Sequence, residues 1–251
     1  MNDTKDTPSL NPTGTEKQWI SENDPQLLWN ALTQDAEVGV VIATVGGKIL
    51  FANATATEVL AGNQTQLVNK AWSDFLPKDV AYERVRISEQ VVTTGNPIAL
   101  VGLIRGICRC ALIRPHISGD GTTKRVMIIC RPLTAIDRMP DLQMIQDCEL
   151  VFAECNDLGP LAVLTEREFD VLALIGEGMS ISEIGRRLGR SAKTIEWHRR
   201  SLGAKLDESN RVGLARIAIR AGLSHLGLTD PRPRLGIHRS PHAAPEEGDS
   251  P

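Results

Sequence analysis

The chain has 251 residues, with 28 Lys or Arg against 31 Asp or Glu and a formal net charge of -3. That length suits one or two domains, and the 41% hydrophobic content lets each bury a core. No apolar run approaches a membrane span, and the polar start Asn2, Asp3, Thr4, Lys5 has no signal-peptide core, so the chain is expected to be cytoplasmic, with no membrane partner.

Residues 1–21 are rich in Thr, Asn and Pro and are expected to be disordered. A front domain is expected over 22–133. Leu27 to Leu32 is a short helical pattern. Val38 to Val45 reads as a strand, Gly46-Gly47 as a hairpin turn and Lys48 to Ala52 as the returning strand. Asn53 opens a short helix carrying Ala56, Val59 and Leu60, and a longer helix runs from about Val80 to Thr94 until Gly95-Asn96-Pro97 breaks it. Three strands follow, near Ile98 to Arg105, Cys108 to Ile117 and Lys124 to Leu133, the last two joined by Gly119-Asp120-Gly121. This order of two strands, several helices and three strands resembles a PAS domain. Gly46-Gly47, Ile49, and Asn53 with Ala56 stand where that family's turn, strand and helix-opening asparagine stand. The resemblance implies an α+β sensor domain with a five-stranded antiparallel sheet and helices over one face, which binds a small molecule or dimerises.

No site residue stands out in this front domain. His116, its sole histidine, reads as a haem ligand or, more simply, as a structural strand residue. The cysteine-bearing flavin motif of photosensing relatives is absent, and a single Tyr with few Phe makes an aromatic-lined pocket thin. No tightly bound cofactor is expected, and the cofactor-binding residues are unknown. Cys108, Cys110, Cys130, Cys148 and Cys155 form no Cys-x-x-Cys pair, so no metal site is expected. Folding about Asp120 brings Cys110 opposite Cys130, give or take one residue. The pair is either redox-active or a set of reduced core thiols.

Residues 134–163 read as a linker. Asp141 to Glu154, with Leu142, Ile145, Val151 and Phe152 among acids, is either a connecting helix or plain linker.

Residues 164–226 are a third composition. Thr165 with Glu168 is a capping box, and Ser180 with Glu183 repeats it. The first helix carries Phe169, Val171, Leu172, Leu174 and Ile175; the second turns Ile181, Ile184 and Leu188 inward. Gly189 supplies a sharp turn, and Ser191 caps a third helix. In that helix Ile195, Leu202 and Leu206 point to the core. Lys193, Glu196, Trp197 and Arg200 share another face, where Arg can pair with guanine and Glu can accept from a cytosine amino group. Lys193, Thr194, His198, Arg199 and Lys205 suit phosphate contact. From 186 to 220 there are ten Lys or Arg against Glu196, Asp207 and Glu208, net +7 in an acidic chain, the footprint of a nucleic-acid site. A fourth helix, capped by Asn210 and ended by Gly222, has one apolar stripe of Leu214, Ile217, Ala218 and Ala221 and a spare one of Val212, Ala215 and Ile219. The spare stripe suggests a dimer contact. Residues 227–251, with Pro231, Pro233, Pro241 and Pro245, are expected to be a disordered tail.

Residues 164–223 resemble the LuxR-type (GerE-like) helix-turn-helix domain. The matches are Leu164-Thr165-x-Arg167-Glu168, Val171-Leu172, Gly178-x-Ser180, Glu183-Ile184, Leu188, Ser191, Thr194-Ile195, His198, Lys205-Leu206 and Asn210-Arg211. The resemblance implies that the third helix enters the major groove, with Glu196, Trp197 and Arg200 at base-contact positions, and that the fourth forms the dimer contact. Three departures stand out: Arg190 in place of an aliphatic residue, Gly185 in place of alanine, and Asp207-Glu208 in place of a glycine-aliphatic pair. The expected function is sequence-specific transcription regulation, with a PAS-like domain that senses a signal or mediates dimerisation. The expected partners are double-stranded DNA and a second copy of the chain, with RNA polymerase as a further candidate. The alternative is a protein-interaction module built on a sigma-factor-like helix-turn-helix. No nucleotide-binding Gly box and no convergent catalytic set is present, so the chain is not expected to be an enzyme.

Overall fold

The computed structural model describes residues 38–62, 66–117, 124–133 and 148–223. The Leu27 to Leu32 pattern, the Gly119-Asp120-Gly121 turn, residues 134–147 and both tails lie outside these. Among the described residues no helix is long and apolar enough to cross a membrane.

The front part opens with β1 (Gly39–Thr44) and β2 (Ile49–Ala52), an antiparallel hairpin. Helix α1 (Ala54–Ala61) follows, then a 3-10 turn at Trp72–Asp74 and the long helix α2 (Lys78–Thr94). Strands β3 (Ile98–Ile104), β4 (Ile107–Ile117) and β5 (Lys124–Pro132) complete the antiparallel body. The sheet order β2-β1-β5-β4-β3 is the antiparallel part of the sheet, with helices over one face.

One strand more is present than the sequence suggests. Residues Glu149–Phe152 form β6, which pairs parallel to β3 from Ile98↔Glu149 to Val101↔Phe152. The sheet is therefore six-stranded and mixed, not five-stranded and antiparallel, and this end of the segment read as a connecting helix or plain linker is a strand. The reason lies in β3. Every one of its residues is buried, so its outer edge would be a buried row of unpaired N–H and C=O groups without a neighbour.

Alternation along β3 divides the core in two. Ile98, Leu100 and Ile104 join Trp72, Val80, Ile87 and Val91 beneath the helices. Ala99, Val101 and Leu103 face the other way and, with Cys108 and Cys110, belong to a cluster continuous through Leu161 with the C-terminal helices. The register also settles the cysteines. Cys130 lies opposite Ala111 and Cys110 opposite Arg131. A one-residue offset puts Cys110 and Cys130 on opposite faces of the sheet, so they do not form a redox pair, and the five cysteines are in no disulfide. His116 is exposed on β4.

Asn53 ties the helical layer to the sheet. Its Oδ1 accepts from Ala56 N and from Val40 N, each at 2.9 Å, and its Nδ2 donates to Val38 O at 2.7 Å. Removal of this side chain takes away an N-cap and strands a buried N–H on β1. Asn53→Ala is expected to cost about 2–4 kcal/mol in denaturant unfolding, and Asn53→Asp, which keeps the acceptor but loses the donor, should cost less.

Candidate nucleic-acid interface

Four helices form the C-terminal unit: α3 (Glu166–Gly176), α4 (Ile181–Leu188), α5 (Ala192–Leu206) and α6 (Arg211–Arg220). Each starts on a side-chain cap, Thr165, Ser180, Ser191 and Asn210 in turn, and both capping boxes are closed. Phe169, Val171, Leu172, Ile175, Ile184, Ile195, Leu202 and Leu214 are buried at their centre.

Glu168 does more than close a capping box. Its Oε2 accepts from Thr165 N (2.8 Å) and Thr165 Oγ1 (2.9 Å), and from Lys205 Nζ at 2.7 Å; its Oε1 accepts from Ser201 Oγ at 2.7 Å. Glu168 is 2% exposed, and its carboxylate joins the start of α3 to the last turns of α5. Burial alone would raise its pKa. The bonds from Lys205, Ser201 and Thr165 outweigh burial and hold it down at about 2. Two further arginines hold turns in place: Arg167 donates to Leu188 O at 2.8 Å, and Arg211 to Gly178 O and Met179 O at 2.7 and 2.6 Å.

Two of the departures meet at the turn before α5, and the third lies at its end. Gly185 lies under the turn, where a Cβ would stand 2.8 Å from Arg190 O, and Arg190 N donates to Gly185 O at 2.8 Å. The turn is drawn in closely because residue 185 has no side chain. Asp207 ends α5 in the left-handed region (φ 51°), a conformation that aspartate tolerates better than most residues. Glu208 accepts from Asn210 Nδ2 at 2.8 Å and its carboxylate lies over Gly213, at the start of α6.

Held this way, α5 presents one face to solvent. Lys193, Trp197 and Arg200 are exposed, Trp197 at 64% and the Arg200 side chain at 75%. Glu196 is half-buried and engaged: Arg199 donates to it through Nε (3.1 and 3.2 Å) and Nη2 (2.8 Å), and Arg200 Nε is 3.4 Å away. Arg199 holds the Glu196 carboxyl below the usual carboxylate range. Thr194 bonds Ser191 Oγ at 2.9 Å within the cap. The His198 ring meets Trp197 edge-on at 5.0 Å, and its buried Nδ1 has no hydrogen-bond partner among the described residues. Burial, then the Arg167 charge, lowers the His198 pKa, and the ring packs against Trp197.

The structure therefore divides the phosphate set named above. Lys193 is free to reach outward. Lys205, at the surface, is paired with Glu168. Arg199 is committed to Glu196. The structural role of Lys205 is illegible in sequence, since its partner lies 37 residues away. On α6, Leu214, Ala218 and Ala221 are buried as expected, whereas Ile217 is half-buried and lines a cleft with Arg105, Gly106 and Ile107 of the β3–β4 turn. In the spare stripe Val212 is 80% exposed, and Ala215 and Ile219 are half-buried. Among the described residues no group of three His, Cys, Asp or Glu could hold a metal ion.

Residues 162–218 match the family described as bacterial regulatory proteins, luxR family. This segment is a GerE/LuxR-type helix-turn-helix domain. The response regulator UvrY of Escherichia coli (strain K12) is 38% identical over 64 residues, 26% of this chain and 29% of UvrY. The transcriptional regulatory protein UhpA of the same strain is 47% identical over 53 residues, 21% of this chain and 27% of UhpA. The match thus spans less than a third of either relative's length. Among solved structures, the Vibrio cholerae VqmA-ligand-DNA complex covers 81% of this chain and 91% of its own, at 16% identity and a TM-score of 0.42.

The Glu168 network has a pH signature. Its folded pKa lies below the ordinary 4.5, so its stabilisation is fully present above about pH 4.5 and is lost as pH falls toward about 2. In acid unfolding of the chain this contributes up to about 3 kcal/mol. Glu168→Gln should be less stable at neutral pH and show a flatter stability profile through that window. A mutant profile parallel to that of the wild type would assign the acid sensitivity to other groups.

Proposed function

We propose that the chain is a sequence-specific transcription regulator that places α5 in the major groove of double-stranded DNA. The observation that carries this reading is the outer face of α5. A large indole stands mostly exposed, packed edge-on against His198, between the exposed cations Lys193 and Arg200. No internal packing requires such a face, whereas a groove that offers base edges and flanking phosphates fits it. The assigned base contacts are Trp197 and Arg200, with Glu196 exchanging part of its Arg199 clamp for a base amino group. Lys193 and the cap hydroxyl of Thr194 serve the phosphates, and Arg199 follows once Glu196 turns to the base.

The front domain is proposed to sense a signal or to support dimerisation. Support comes from the apolar cluster that runs from β3 through Leu161 into α3 and α6, which gives a change in the sheet a packed route to the DNA-binding helices. The stripe Val212, Ala215 and Ile219 is proposed as the contact between two copies of α6. Two-fold symmetry then sets two recognition helices about one DNA turn apart, roughly 34 Å.

Selection of bound duplexes from a random pool tests the reading. The wild-type chain should enrich an inverted repeat with half-site centres about 10 base pairs apart. Arg200→Ala should weaken binding to that repeat by about 1–3 kcal/mol and relax one base position in each half-site. Enrichment of single half-sites would remove the α6 contact. No enrichment at all would favour a helix-turn-helix that docks other proteins.

A further inference from the structure

The chain passes from the front domain to the C-terminal helices through a strap, residues 153–158, and a buried carboxylate holds that strap. Beyond β6 the pairing with β3 continues for one bond, Ala153 N to Val101 O at 2.8 Å, and resumes with Asp157 N to Leu103 O at 3.1 Å. Between these bonds the strap bulges away from β3, and Asn156 Oδ1 accepts from Leu103 N at 2.6 Å in place of a ladder carbonyl. Gly102 leaves room for this course: a Cβ there would stand 2.6 Å from Ala153 Cβ and 3.0 Å from Asn156 Oδ1. The bulge turns the backbone N–H groups of Glu154 and Cys155 toward α2. Both donate to Glu83, at 2.7 Å to Oε1 and 3.2 Å to Oε2.

Glu83 is 3% exposed, and Arg84 Nη1 at 3.3 Å supplies its counter-charge. Burial of a carboxylate carries a desolvation cost, which these three donors offset. What it secures is an arrangement. Ala153, at the front end of the strap, lies in the same core as Val80, Ile87 and Val91 of α2. Leu161, just past the other end, lies in the core of the C-terminal helices with Phe169, Leu172 and Leu214. Between them Asp157 fixes the strap to the β3–β4 turn. Its Oδ2 accepts from Arg105 N at 3.0 Å, its Oδ1 from Gly159 N at 3.1 Å and its carbonyl from Gly106 N at 2.9 Å. The exposed pair Arg86–Glu154, at 3.0 Å, flanks the Glu83 contact and contributes little.

We propose that Glu83 is the positioning residue that couples the two units. While its carboxylate holds the Glu154 and Cys155 amides, α2 and the helices α3 to α6 open as one cooperative body, and its release uncouples them. The strap gives α2 a route to Leu158 and Leu161 that bypasses the sheet. The coupling stands on these hydrogen bonds alone; its use in controlling DNA binding rests on the proposed regulator function.

Amide hydrogen exchange on the full chain tests the coupling, with Glu168→Gln as a perturbation placed in the C-terminal helices. In the wild-type background Glu168→Gln should speed exchange in α2 and β3 by the same factor as in α3 and α5. In the Glu83→Gln background it should speed exchange in α3 and α5 only. Glu83→Gln alone should speed exchange of the Glu154 and Cys155 amides at least about tenfold, with β4 and β5 little changed. Glu83→Asp keeps the charge beside Arg84 but withdraws it from the amides. It should uncouple the units as Gln does, so a fold lost in one variant leaves the other. Arg86→Ala, which removes only the exposed pair, should behave as the wild type. Equal acceleration of α2 and α3 by Glu168→Gln in the Glu83 variants, or none in α2 in the wild type, would overturn the proposal. A saturating cognate duplex then tests its use. The duplex should slow exchange in α2 as well as α5 in the wild type, and in α5 alone in Glu83→Gln. Slowing confined to α5 in the wild type would overturn the regulatory use and leave the coupling standing. A chain that binds no duplex would overturn the DNA reading, while the Glu168→Gln comparison still decides the coupling.

Discussion

The buried carboxylate of Glu168 fixes the geometry on which the exposed face of α5 depends. It gathers four donors, two from Thr165 and one each from Ser201 and Lys205. The first two start α3, and the last two clamp α5 across it. Without them, the rotation of α5 about its own axis would rest on the packing of Ile195, Leu202 and Leu206. With them, a small range of rotations presents Lys193, Trp197 and Arg200 to solvent. A charge buried and hydrogen-bonded in this manner is weak evidence for net stability but good evidence for a specified arrangement, and arrangement is what readout of base edges requires.

The electrostatics of α5 follow from the same division of labour. The segment from 186 to 220 is strongly basic, but its cations are not equivalent. Lys205 pairs with Glu168, Arg199 pairs with Glu196, and Arg211 holds the carbonyls of the turn after α3. What remains outward on α5 is a small set, Lys193 and Arg200 about Trp197. A count of positive charge therefore overstates the number of groups free to meet phosphate.

The C-terminal unit is largely legible in sequence because its signals are local. Thr165 with Glu168, Ser180 with Glu183, Ser191 and Asn210 announce helix starts within three residues, and the 3.6-residue period separates Ile195 and Leu202 from Trp197 and Arg200. The strands of the front domain are legible for a similar reason, as hairpins marked by turn residues. What escapes is non-local. The strand at Glu149–Phe152 exists because β3 needs a neighbour on its outer edge, which no window around Val151 reveals. Cys110 and Cys130 fall within one residue of facing each other, and that one residue separates the two faces of the sheet. The pairing of Lys205 with Glu168 spans two helices.

The central claim, that the Trp197 face of α5 meets DNA, is tested most directly by hydroxyl-radical oxidation of the full chain with and without a saturating bound duplex. Trp197 is 64% exposed and Trp72 only 4% exposed, so one protein contains both the probe and a buried control. The account predicts ready oxidation of Trp197 in the free chain and a several-fold loss of that oxidation on the duplex, with Trp72 unchanged. Undiminished oxidation of Trp197 while DNA saturates the protein would contradict it.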